Sequence, residues 1–94
     1  MDLKELKILK AEENKITYDC DKVKFLIRKK GSISGDHVHS VEETFYLVSG
    51  EVELTIGNET RVVTAPLKIK IKPGEYHKLV ALTDFTLIED RVGE

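Results

Sequence analysis

From Lys15 to Glu89 the chain runs as short stretches of alternating apolar and polar residues, broken about every eight to twelve residues by turn formers. Val52, Leu54 and Ile56 alternate with Glu51, Glu53 and Thr55, and Leu67, Ile69 and Ile71 alternate strictly with Lys68, Lys70 and Lys72. Successive side chains of a strand point to opposite faces, so each run can bury one face and wet the other. Ser49-Gly50 and Gly57-Asn58 are predicted to close hairpins between strands over 44–48, 52–56 and 60–64. Ala65-Pro66 breaks the third of these, and Pro73-Gly74 and Thr83-Asp84 turn into strands over 76–82 and 85–89. Such a succession predicts an all-β sandwich or barrel.

The N-terminal third is less regular. Ile16-Thr17-Tyr18 and Val23 to Arg28 are rich in β-branched and aromatic residues, with Asp19-Cys20-Asp21 read as the turn between them. Gly31 to Asp36 reads as a loop. Leu3, Leu6 and Leu9 recur at near-helical spacing, yet Leu6 and Ile8 equally suit an edge strand, and a short strand or irregular arm is expected there. A chain of 94 residues makes one domain, with an arm over about 1–14 and a barrel core over about 15–90. Some strands are apolar on both faces: Phe45 and Leu47 point one way, Tyr46 and Val48 the other, and Leu26 interrupts the polar side of Val23, Phe25 and Ile27. One small core cannot absorb both faces, so a homodimer is expected.

Charge narrows the partners. Fifteen basic and 17 acidic residues are scattered through both halves, giving a net charge of −2 with no basic patch for a phosphate backbone. The lysines at 68, 70 and 72 read as a wetted strand face that discourages edge-to-edge pairing. Nucleic acid is not an expected partner, and neither is a membrane: no stretch approaches 18 consecutive apolar residues. A single cysteine, Cys20, rules out an intrachain disulfide, and the charged start Met1-Asp2-Leu3-Lys4-Glu5 does not suit a signal peptide. The cytoplasm is the expected compartment.

Chemistry concentrates in His37-Val38-His39-Ser40-Val41-Glu42-Glu43. On an extended strand His37 and His39 project from one side, and Glu43, at an even offset, rejoins that side if the strand resumes after a bend. His77, the third and last histidine, follows the Pro73-Gly74 turn, which can return a distant strand to the first pair. Imidazoles and a carboxylate aimed at one point suit a divalent transition metal and leave coordination positions open.

The same residues carry a family resemblance. Gly31, five residues, His37, one residue, His39, three residues, Glu43, six residues and Gly50 match the first cupin motif at each fixed position. In the second motif Gly74 and His77 stand where cupins have a glycine and a third histidine, while Lys72, Pro66 and Ala81 depart from its proline, leading glycine and terminal asparagine. Fifteen residues lie between Gly50 and Pro66, a short spacing that resembles small microbial cupins. The resemblance covers about residues 23–90 and implies a double-stranded β-helix, or jelly-roll barrel, with a metal inside its mouth. It implies His37, His39, Glu43 and His77 as ligands of one divalent ion: Fe, Mn, Ni, Zn, Co or Cu.

Function is less constrained than fold. The expected activity is that of a small metal-binding cupin acting on, or binding, a small organic molecule, as a dioxygenase, isomerase or decarboxylase would. A non-catalytic binding or sensing module and a sugar-binding or sugar-isomerising cupin are the alternatives. Tyr46, Tyr76, Lys78 and Arg28 are candidate polar residues of the mouth, although alternation turns Tyr46 and Lys78 outward. No catalytic residue is assigned.

Overall fold

The alternating runs all become strands. Ten of them are present in the computed structural model, which describes residues 1–91. They are β1 (Lys7–Glu12), β2 (Lys15–Cys20), β3 (Val23–Arg28), β4 (Ile33–His37), β5 (Glu43–Ser49), β6 (Glu51–Ile56), β7 (Glu59–Thr64), β8 (Leu67–Ile71), β9 (His77–Ala81) and β10 (Phe85–Arg91). A large sheet has the order β1-β2-β3-β10-β5-β8 and a small sheet the order β4-β9-β6-β7. Every pairing is antiparallel. From β3 onward every connection crosses between the sheets except the one joining β6 to β7, which is the winding of a double-stranded β-helix.

That winding overturns one expected hairpin. Ser49-Gly50 does not pair the strands it joins: β5 lies in the large sheet beside β10 and β8, and β6 lies in the small sheet beside β9 and β7. The connection is a corner. Gly50 turns it at φ +96°, and a Cβ there would stand 2.3 Å from the Asp84 carbonyl oxygen and 2.6 Å from Phe85 Cβ. No side chain fits between two chain segments so close. Gly57-Asn58 does close a hairpin, with Val52 opposite Val63 and Leu54 opposite Arg61. After β7 the chain passes a cis Ala65–Pro66 bond and returns to the large sheet as β8.

The core lies between the sheets. Leu26, Phe45, Leu47, Ile69, Phe85 and Leu87 enter from the large sheet; Val52, Leu54, Leu79 and Ala81 face them from the small one. Burying a side chain as fully as Leu47 stabilises the fold by about 1.5–3 kcal/mol. On β3 the buried side belongs to Leu26 and Arg28, opposite Leu87 and Phe85 of β10, so Lys24, Leu26 and Arg28 face in and Val23, Phe25 and Ile27 face out. The apolar-looking side of this strand is its outer side.

The N-terminal region forms a strand and an arm. Among the described residues β1 pairs only with β2, with a register shift between Ile8 and Lys10, and it is exposed at each of its six residues. β2 runs on through Cys20, so the turn into β3 falls at Asp21-Lys22 rather than at Asp19-Cys20-Asp21. Asp21 takes φ +66°, which a short polar side chain tolerates, and its amide donates to Asp19 Oδ1 at 3.0 Å.

Candidate metal centre

His37, His39, Glu43 and His77 come from separate parts of the winding and meet at one end of the barrel. His37 closes β4, and its register partner is His77, the first residue of β9. That pairing depends on Gly35: a Cβ there would sit 2.9 Å from the His77 carbonyl oxygen and 3.1 Å from its ring. His39 lies beyond the end of β4, in the bend that carries the chain across to β5, where Glu43 is the first residue. The Gly74 amide donates to the His39 carbonyl at 2.7 Å, so the Pro73-Gly74 turn before His77 is tied to the segment carrying His39.

The rings of His37 and His39 have centroids 4.1 Å apart, and those of His37 and His77 are 4.7 Å apart. Oε1 of Glu43 is 3.3 Å from Nε2 of His77 and 3.5 Å from Nε2 of His39. One ligand atom from each of the four residues lies within 4.8 Å of every other. Donors around an octahedral ion with bonds of ~2.1 Å stand roughly 3 to 4 Å apart, so the set fits a transition metal after a small contraction.

The donor atoms are also left without other work. Nε2 of His39, Nε2 of His77 and Oε1 of Glu43 are buried and have no hydrogen-bond partner. Buried polar atoms are nearly always paired, so three unpartnered donors facing one point suit a shared cation. Nδ1 of His77 lies 3.4 Å from the Glu75 carbonyl, an arrangement in which Nδ1–H points to that oxygen and Nε2 offers its lone pair to the centre. His37 is held below the usual histidine range, first by burial and then by the neighbouring imidazoles of His39 and His77. A neutral ring is the form that ligates.

Two further residues, overlooked in the sequence, support Glu43. Arg91 Nε donates to Glu43 Oε2 at 3.0 Å and lies 2.8 Å from Glu89 Oε1. Burial pushes the Glu89 carboxyl up, with Arg91 opposing. The signal was present: Glu89 and Arg91 continue the inward parity of Phe85 and Leu87 on β10.

Behind the cluster a cavity of about 340 Å³ runs between the sheets, lined by His37, Glu43, Phe45, His77, Leu79 and, at its far end, Arg28. Of the four polar residues expected at the mouth, only Arg28 lines it. Tyr46 is on the outer face of β5, with Lys68 Nζ 5.7 Å from its ring centre. Tyr76 donates to Asp36 Oδ1 on an exposed rim, and Lys78 lies on the other side of β9 from the buried His77 and Leu79.

A double-stranded β-helix with three imidazoles and a carboxylate gathered at one end defines a class of barrel with a candidate mononuclear centre. The chain belongs to the cupin family: the family model for the Cupin domain matches residues 24–88. Among solved structures it resembles the capsular polysaccharide assembling protein CapF from Staphylococcus aureus, at 20% identity and a TM-score of 0.81 over 95% of this chain and 28% of that one. It also resembles an RmlC-like cupin from Methanocaldococcus jannaschii, at 10% identity and a TM-score of 0.71, over 97% of this chain and 92% of that one. A third is a predicted oxalate decarboxylase from Thermotoga maritima, at 22% identity and a TM-score of 0.69 over 73% and 63%. The chain thus spans less than a third of CapF, and at these identities the likeness is one of fold. No curated protein matches the sequence.

Proposed function

We propose that this chain is a metal-dependent enzyme acting on a small organic molecule, with one divalent transition metal ion held by His37, His39, Glu43 and His77. The observation that carries the reading is the convergence of three buried, unpartnered donor atoms on one point at the head of a cavity. When bound, the ion supplies Lewis acidity and open positions for a substrate oxygen or for dioxygen. The chain's own part is to fix the donors: Glu75 orients His77, and Arg91 occupies the second oxygen of Glu43. Iron, manganese, nickel, zinc, cobalt and copper all suit imidazoles with a carboxylate.

The reaction is to be sought among oxygenase, isomerase and decarboxylase chemistries on small molecules. Protein loaded in turn with Fe(II), Mn(II) and Ni(II) is to be incubated under air with a panel of small organic acids, with oxygen uptake and products followed. Turnover that needs the metal and disappears in His39→Ala supports an enzyme. Saturable binding without turnover of any compound supports a second reading, a binding module. That reading has one observation in its favour: beyond the cluster, Glu89 is the only carboxylate lining the cavity among the described residues.

A homodimer is part of the proposal. On the outer face of the large sheet Tyr18, Phe25, Ile88 and Tyr46 are successive cross-strand partners, and each is half-buried or exposed. A second copy would cover this band. Sedimentation at micromolar concentration tests it, and a compact monomer would refute it. The cytoplasm is the proposed compartment, supported by the lone Cys20; among the described residues no helix is long and apolar enough to cross a membrane.

A further inference from the structure

The end of the cavity away from the histidines holds a cation with no counter-ion among the described residues. Arg28 is only 5% exposed and forms no ion pair among the described residues. Four of its five N–H groups are used inside the protein. Nε donates to Ser34 Oγ at 3.1 Å, Nη1 to the carbonyls of Ile16 and Ile27 at 2.9 and 3.1 Å, and Nη2 to Thr17 Oγ1 at 3.0 Å. These bonds stitch β2, β3 and β4 together, yet every acceptor is neutral. One Nη2–H and the whole charge are left over.

The surroundings deepen the imbalance. Lys15 is the cross-strand partner of Arg28, and its ammonium donates to the Ile33 carbonyl beside the same cavity. The lining as a whole has five cationic side chains (Lys10, Lys15, Lys24, Arg28 and Arg91) against the carboxylates of Glu43 and Glu89. A chain of net charge −2 has therefore lined this cavity with an excess of positive charge. Burial alone disfavours a charged guanidinium, and Glu89 and Glu12 offset this only through space. A clamp between strands needs donors, not charge. A buried charge without a partner is costly, and an anionic ligand is the partner that would lower that cost.

We propose that the cavity receives a small organic acid, its carboxylate at Arg28 and its other end at the histidine–glutamate cluster. This rests on the reading of the cavity as the substrate site, but not on a metal being bound. Ser34, against which Arg28 lies, is three residues before His37 on β4, at most about 10 Å along a strand. Between the two polar ends the walls are Leu26, Phe45, Leu79, Phe85 and Leu87. The acid therefore carries an apolar body, and a two-carbon diacid is too short to touch both ends. The single N–H that Arg28 has left suits one carboxylate oxygen, whereas a phosphate dianion calls for several donors converging on one point.

The test follows backbone amide signals of the isotope-labelled full chain, as purified and again after EDTA, during titration with benzoate, benzamide or inorganic phosphate. Benzoate is expected to shift Arg28, Ser34 and Phe85 saturably in both samples, at least about tenfold more tightly than the neutral, isosteric benzamide. Arg28→Met is expected to erase that preference; if this chain does not fold, the wild-type comparison decides alone. Equal affinity for acid and amide, shifts confined to other residues, or phosphate binding more tightly than benzoate would each overturn the proposal. The metal reading fails separately: a chain that takes benzoate but no metal keeps this inference and loses that one.

Discussion

Arg91 reaches back from the end of β10 to hold Oε2 of Glu43 at 3.0 Å, which leaves the carboxylate's other oxygen to the histidines. Outer hydrogen bonds of this kind set how a ligand is presented, and their loss typically weakens metal binding about 10–100-fold. Arg91→Met is therefore expected to lower metal affinity by about that factor while the fold persists, since Arg91 itself is only half-buried. Competition against a chromophoric chelator reads the change. Unaltered affinity would mean that Arg91 serves the fold alone.

Stability should follow metal occupancy. A ligand that binds only the folded chain stabilises it by about 2.7 kcal/mol at a hundredfold excess over its Kd. For a domain of this size that is roughly 10 °C or more in Tm. Stripping with EDTA is expected to lower Tm by about that amount, and adding back a transition metal to restore it. His77→Ala should respond to neither treatment.

The metal-free protein should weaken in mild acid through His37. Its folded-state pKa lies below the ordinary 6.5, because of burial and then of His39 and His77. The unfolded chain thus takes up this proton first, and stability falls as pH drops from about 6.5 towards the depressed folded value. Metal affinity falls over the same range, since protons compete for the lone pairs. Denaturant melts of the stripped chain at pH 7.5 and pH 5.5 check the slope, and His37→Asn is expected to flatten it.

Gly50 holds the corner between the sheets. Gly50→Ala places a methyl 2.3 Å from the Asp84 carbonyl at a φ of +96°, so the corner must open. The backbone conformation alone costs about 1–3 kcal/mol, and the clash adds to it. Urea melts should show a lower midpoint, whereas Gly57→Ala, whose added Cβ meets no atom within 4 Å, should cost less.

Much of this was legible in the sequence. Period-two alternation located β5 to β10 within a residue or two at most ends, because half-buried strands impose that pattern directly. The four residues of the cluster were named from spacing and family resemblance. What local pattern does not encode is which sheet a strand joins. Ser49-Gly50 has the chemistry of a hairpin turn, yet the same φ > 0 serves a corner, and only the packing of Gly50 on Asp84 and Phe85 tells them apart. β3 misled for a related reason: Phe25 and Ile27 look like core, but the barrel turns Lys24 and Arg28 inward because the cavity there is polar. His39 shows the limit of strand parity as well, since it reaches the cluster from a bend beyond the end of β4.

Metal content per chain tests the central claim most directly. Tag-free protein, incubated with a mixture of divalent transition metals and then dialysed exhaustively, is to be measured by elemental analysis beside His77→Ala of matching circular dichroism. Close to one equivalent in the wild type and almost none in the variant is the expected result. A wild-type chain that emerges without metal, or a variant that retains as much as the wild type, would contradict it.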